Sequence, residues 1–217
     1  MIVSSRAQRR LARRAVPSDD PGMQPAALLL DMDGTITAPM LDFPRIKAEM
    51  GIGDKPILEA LAALDPVRRT EAQAILHRHE EIAATTCTLN PGCAETLEWA
   101  ASTRVPVALI TRNSRKSVNS VLERHRLDIG VLITRDDGLF KPDPSPLFRA
   151  CEQLNVQAPD AWMIGDGRYD VEAGLAAGTK TVWISHGKPR DFPAKPWRVV
   201  SDLFGLLNVL KAGGSNE

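Results

Sequence analysis

"LLLDMDGTIT", residues 28–37, carries an apolar run straight into two acids separated by a single methionine. Ala26, Ala27 and Leu28 to Leu30 show no polar alternation, the pattern of a strand buried on both faces of a parallel sheet. In such sheets ligands bind beyond the carboxyl ends of the strands, so the acids that end this run stand where a site forms. Asp31 and Asp33 lie two apart, and in extended chain their side chains point the same way and repel. A bound metal ion or a shared proton would offset that repulsion.

The chain around this stretch alternates strand with helix. Strands are expected at Ala26–Leu30, Val105–Ile110, Gly130–Ile133, Trp162–Ile164, Thr181–Ile184 and Arg198–Val200, short apolar runs flanked by Gly, Pro, Asp or Thr. Helical patterns fill the gaps at Pro91–Ser102, Ser114–Arg126, Pro146–Leu154, Tyr169–Ala177 and Asp202–Ala212, with Ser114 and Asp202 as N-caps. The alternation predicts an α/β protein with a Rossmann-like parallel sheet core. From Ala38 to Thr88 only helical patterns occur; "DKPILEALAAL" and "DPVRRTEAQAILHRHEEIAA" each open on an acid and a proline near a helix start. An insert of about 50 residues is too long for a βα loop and reads as a small all-helical cap after the first strand. The expected division is a tail over 1–24, a core over 25–37 and 89–217, and a cap over 38–88.

The totals exclude several classes. With 27 basic and 27 acidic residues in 217, no bulk charge calls for nucleic acid or a membrane surface. No apolar run approaches the roughly 20 residues of a membrane helix. Cys87, Cys93 and Cys151 form no CxxC pair, so a disulfide framework or zinc site is not expected and a reducing, cytoplasmic setting is. "SSRAQRRLARRAV" holds five arginines before the first acid, Asp19. Its plain reading is a disordered basic tail, and its alternative an organelle address. Nothing in the sequence sets an oligomeric state.

The polar residues gather at the strand ends. The first strand runs into Asp31-Met32-Asp33-Gly34-Thr35, the second into Thr111-Arg112-Asn113-Ser114, and the fourth into Gly165-Asp166-Gly167 with Asp170 one turn on. Lys141 stands in "GLFKPDPSPL", between the third strand and the next helix. A helix-opening role for Asp166 and Asp170 is the simpler reading of those two acids alone. It does not account for the residues at the other strand ends. "GDGRYD" is no dinucleotide loop, since Asp170 stands where a third glycine belongs. His77 and His79, two apart on a helix, face different sides and make no metal pair.

"DMDGT", "LITRNS", "KPDPSP" and "GDGRYD" resemble, in order, the four motifs of the haloacid dehalogenase superfamily, and the insert resembles its alpha-helical cap. The likeness runs from about Ala26 to the C-terminus and is greatest to the phosphoglycolate-phosphatase-like branch. It implies a phosphatase acting on a small phosphorylated metabolite, with Mg2+ held by Asp31, Asp166, Asp170 and the backbone carbonyl of Asp33. It implies Asp31 as nucleophile, forming an aspartyl phosphate, and Asp33 as general acid and base. Lys141 would balance charge, and Thr111 and Asn113 would hold phosphoryl oxygens. Superfamily members that cleave carbon–halogen bonds lack an acid two residues after the nucleophile; Asp33 therefore favours phosphoryl transfer. Arg112 stands where the family often has Asn, and with Arg45 from the cap it is expected to reach substrate. Two alternatives share these motifs. A phosphosugar mutase would return the phosphoryl group to the sugar, and a non-catalytic ligand-binding protein would use the same scaffold without turnover.

Overall fold

The computed structural model describes residues 24–213, so the basic N-terminal segment lies outside the described residues. Strands β1 (Ala27–Leu30), β2 (Val107–Ile110), β3 (Val131–Ile133), β4 (Ala161–Gly165), β5 (Lys180–Ile184) and β6 (Arg198–Val200) form one sheet in the order β3-β2-β1-β4-β5-β6. Every pairing is parallel. The chain builds outward from β1 first to one side and then to the other, which leaves a crevice at the carboxyl end of β1 between β2 and β4. β2 starts at Val107 and not at Val105: Pro106 has no N–H for the ladder, and only its carbonyl takes part, accepting from Leu28 at 2.9 Å.

Three helices cover one face of the sheet, α4 (Cys93–Thr103), α5 (Arg115–His125) and α8 (Leu203–Gly213). Leu28 and Leu30 pack there with Ala100, Val118, Val121, Leu206 and Leu210. Helices α6 (Ser145–Leu154) and α7 (Arg168–Ala177) cover the other face, where Ala27 and Leu29 meet Leu147, Ala150 and Ala173. The period-2 pleat thus divides one apolar run between two cores, and each fully buried Leu or Ile contributes roughly 1.5–3 kcal/mol. Ser114 caps α5, its hydroxyl accepting from Ser117 N–H, and Asp202 accepts from Gly205 N–H at 2.8 Å ahead of α8. Cys87, Cys93 and Cys151 are buried free thiols.

The insert folds as three helices, α1 (Phe43–Met50), α2 (Ile57–Ala63) and α3 (Pro66–Thr86), around an apolar cluster of their own that includes Ile46, Met50, Leu58, Leu61 and Leu76. Asp65 caps α3 by accepting from Val67 and Arg68 N–H at 3.1 Å, with Pro66 at the first helical position. The matching reading fails at α2, where Pro56 takes the N-cap without any side-chain bond and Asp54 stands outside the helix. The insert leaves and rejoins the core at one place. Ala38 N–H donates to the Thr88 carbonyl and Asn90 N–H to that of Ile36, both at 2.9 Å. The Asn90 carboxamide also reaches the carbonyls of Gly34, Thr35 and Thr37 at 2.9–3.0 Å.

Candidate active site

Residues from four strand ends meet in the crevice, the acids from those of β1 and β4. Asp31, Asp166 and Asp170 bring carboxylate oxygens within 4.8 Å of one another. Lys141, 1% exposed, puts its ammonium 2.5 Å from Asp31 Oδ1, 2.6 Å from Asp170 Oδ1 and 2.6 Å from the Ile110 carbonyl. Its three N–H groups therefore have three acceptors. Close approach depends on glycine at two points. Gly34 has φ +77°, in the left-handed region, and a Cβ there would stand 2.1 Å from an Asp166 carboxylate oxygen. A Cβ on Gly165 would meet the Asp170 carboxylate at 2.2 Å.

Asp33 has a different environment. Its carboxylate is not among the clustered three; it accepts from Asn113 Nδ2 at 2.7 Å. Thr111 lines the same cavity, and its hydroxyl accepts from Asn113 N–H at 3.2 Å, which turns the loop so that both side chains face the crevice. The amide expected at phosphoryl oxygens thus holds Asp33.

Charge follows from this packing. Burial, with Asp170 adding repulsion, raises the Asp31 carboxyl well above its ordinary value despite the pull of Lys141. Burial raises Asp33 to about 6, against the Asn113 bond that favours its anion. Burial and Asp170 raise Asp166 to about 7. Burial opposes the Lys141 charge, but Asp170 and Asp31 outweigh it and its value rises. Three carboxylates against one ammonium leave two negative charges when all are ionised, a buried all-oxygen donor set that fits a hard divalent cation.

These shifts carry a sign for stability. A carboxyl whose folded value lies above its unfolded one binds more protons when folded, so its contribution is greatest at low pH and falls as pH rises through the folded value. In EDTA the melting temperature should therefore fall between about pH 4 and pH 7 from Asp33 and Asp166, and Mg2+ should restore more at pH 7 than at pH 5. Differential scanning fluorimetry across pH checks this. A melting temperature independent of Mg2+ at pH 7 would contradict the donor set.

The cavity over these residues measures about 390 Å3 and is walled on one side by the insert, through Leu41, Phe43, Ile57, Leu58 and Leu76. Two cap residues escape a reading of the sequence. Glu80 of α3, 2% exposed, lines the cavity and pairs with Arg135, which follows β3. Glu59 of α2 pairs with Arg112, both its oxygens within 3.0 Å of one guanidinium nitrogen. Arg112 also donates to the Lys141 carbonyl and lies over the rings of Tyr169 at 4.4 Å and Phe140 at 5.3 Å. Arg45 is not brought to the site. Its side chain is 68% exposed and pairs with Glu49 one turn along α1, and Lys47 lines the cavity instead.

Residues 43–184 match the family described as haloacid dehalogenase-like hydrolase. The chain is 29% identical over 204 residues to a haloacid dehalogenase-like hydrolase domain-containing protein of Arabidopsis thaliana, covering 85% of this chain and 83% of that one. It is 27% identical over 218 residues to a phosphoglycolate phosphatase of Pseudomonas fluorescens, covering 86% and 80%. A solved structure of a hydrolase from Pseudomonas syringae superposes with a TM-score of 0.74 at 20% identity, over 85% of this chain and 97% of that one.

Proposed function

The chain belongs to the haloacid dehalogenase-like hydrolases, and on that premise we propose that this phosphoric monoester hydrolase is a Mg2+-dependent phosphatase that works on a small metabolite through a phosphorylated Asp31. The observation that carries the reading is the separation of two kinds of acid at one rim. Asp31 sits in the cluster with Asp166, Asp170 and the Lys141 ammonium, while Asp33 is held apart by Asn113. Asp31, Asp166, Asp170 and the Asp33 backbone carbonyl would hold the ion, which when bound screens the charge of an anionic ester.

In the first step an Asp31 oxygen forms a bond to phosphorus as the bond to the leaving alcohol oxygen breaks. Asp33, protonated below about pH 6, gives its proton to that oxygen. In the second step Asp33, now ionised, takes a proton from water as the water oxygen attacks phosphorus and releases Asp31. Lys141 keeps Asp31 in place through both steps and offers positive charge to the transferring oxygens. The Thr111 hydroxyl is placed to bond one of them. The insert closes over the reaction and excludes bulk water. The three buried thiols suit a reducing compartment, and we place the enzyme in the cytoplasm.

Phosphate release from a panel of small phosphoesters, with Mg2+ and with EDTA, tests the reading. Phosphoglycolate comes first in the panel because a phosphoglycolate phosphatase is among the relatives. Turnover that requires the metal is expected; a chain that releases phosphate from no ester overturns the proposal.

A further inference from the structure

Beside the clustered acids the cavity is walled by residues of the cap and by Arg112, Arg168 and Tyr169. Four cationic side chains line the cavity among the described residues, and each is already bonded within the protein. Lys141 is held by Asp31, Asp170 and a carbonyl; Lys47 donates to the Asp54 carbonyl at 3.2 Å; Arg168 pairs with Glu172 at 2.6 Å. Arg112 would be the natural receptor for a second anionic group, because the Tyr169 and Phe140 rings hold its planar fork in place. Glu59 takes one terminal nitrogen of that fork from the cap, and the Lys141 carbonyl takes the other. The remaining cap wall is apolar, and its one buried acid, Glu80, is already paired with Arg135 and offers no cation to a substrate.

We propose that Glu59 is a specificity-determining residue: by occupying Arg112 it selects phosphate monoesters whose leaving group is uncharged over those that carry a carboxylate. The inference rests on the phosphatase reading for where the phosphoryl group sits. A substrate carboxylate reaching Arg112 must displace Glu59, exchanging one carboxylate for another with no net gain in pairing, and must leave Glu59 without its cation. An uncharged alcohol requires no such exchange and leaves the Arg112–Glu59 pair tying cap helix α2 to the loop of Lys141.

The test is a matched pair of esters, 2-phosphoglycolate and its primary amide, which differ in that one charge. With Mg2+, the wild type should show the higher kcat/KM for the amide. Glu59→Gln removes the negative charge that competes for Arg112 and should move the ratio toward the carboxylate by about tenfold, mostly in KM, the worth of one well-placed charge pair. A wild type that prefers the carboxylate, or a ratio unmoved by Glu59→Gln, overturns the inference. Should that variant not fold, the wild-type ratio alone decides. Calorimetric binding of both esters to Asp31→Asn, with and without Glu59→Gln, reads the same ratio without turnover. A binding ratio that shifts as stated while the wild type hydrolyses nothing would retain the specificity and reject the phosphatase. Absence of binding by both esters would reject the specificity.

Discussion

Asp31→Asn should leave a folded protein whose phosphate release has fallen by at least about 10^4-fold, the scale of removing a covalent nucleophile. The fold should survive because the carboxamide oxygen introduced there can still accept from Lys141, and Lys141 keeps Asp170 and the Ile110 carbonyl. The substitution also removes one of three mutually repelling carboxylates, so in EDTA the melting temperature should not drop. Loss of turnover with an unchanged melting curve separates a chemical role from a structural one. Phosphate release that persists in this variant would sink the mechanism.

Asp33→Asn should act differently, because Asp33 moves a proton and forms no bond to phosphorus. With an alkyl phosphate the loss should be about 10^2–10^4-fold, the usual range for a positioned acid–base group. With p-nitrophenyl phosphate, whose leaving group departs without a proton, the first step should lose far less. The pH dependence carries the same signature. Burial raises Asp33 to about 6, so the protonated donor is depleted as pH rises above that value. Single-turnover phosphorylation by an alkyl phosphate should therefore decline above about pH 6 in the wild type and stay flat in the variant over that range. Equal losses for both leaving groups would mean that Asp33 does not protonate the alcohol.

The sheet is legible in the sequence because its signal is local. Apolar runs such as Leu28–Leu30 need no partner to be recognised as doubly buried strands, and the polar residues that follow each run are carried by the topology to one rim. Asp31, Asp33, Asp166, Asp170 and Lys141 come to one rim by that placement alone. The cap is less legible. Glu80 lies in an ordinary helical run, and its partner Arg135 is 55 residues away, so no spacing announces it. Glu59 and Arg112 are 53 apart and meet only when the insert folds over the sheet. Arg45 reads toward the substrate, although Glu49, one helical turn on, offers the nearer partner on the same face. At Asn113 the sequence identifies the residue but not its neighbour. That its amide turns to Asp33 depends on how close the rims of β1 and β2 come.

Ala38 bonded to Thr88, and Asn90 reaching back to Gly34, Thr35 and Thr37, make the insert's entry and exit a single joint. From the sheet's side the intervening chain is a plug in a socket: its length and composition do not change the distance the core has to span. Splicing a different helical segment between those two anchors should leave the strand order and the rim acids where they are. Recognition of the alcohol and chemistry at phosphorus can thus be inherited separately. A lineage, or an engineer, could retune one by exchanging a cassette without reopening the other.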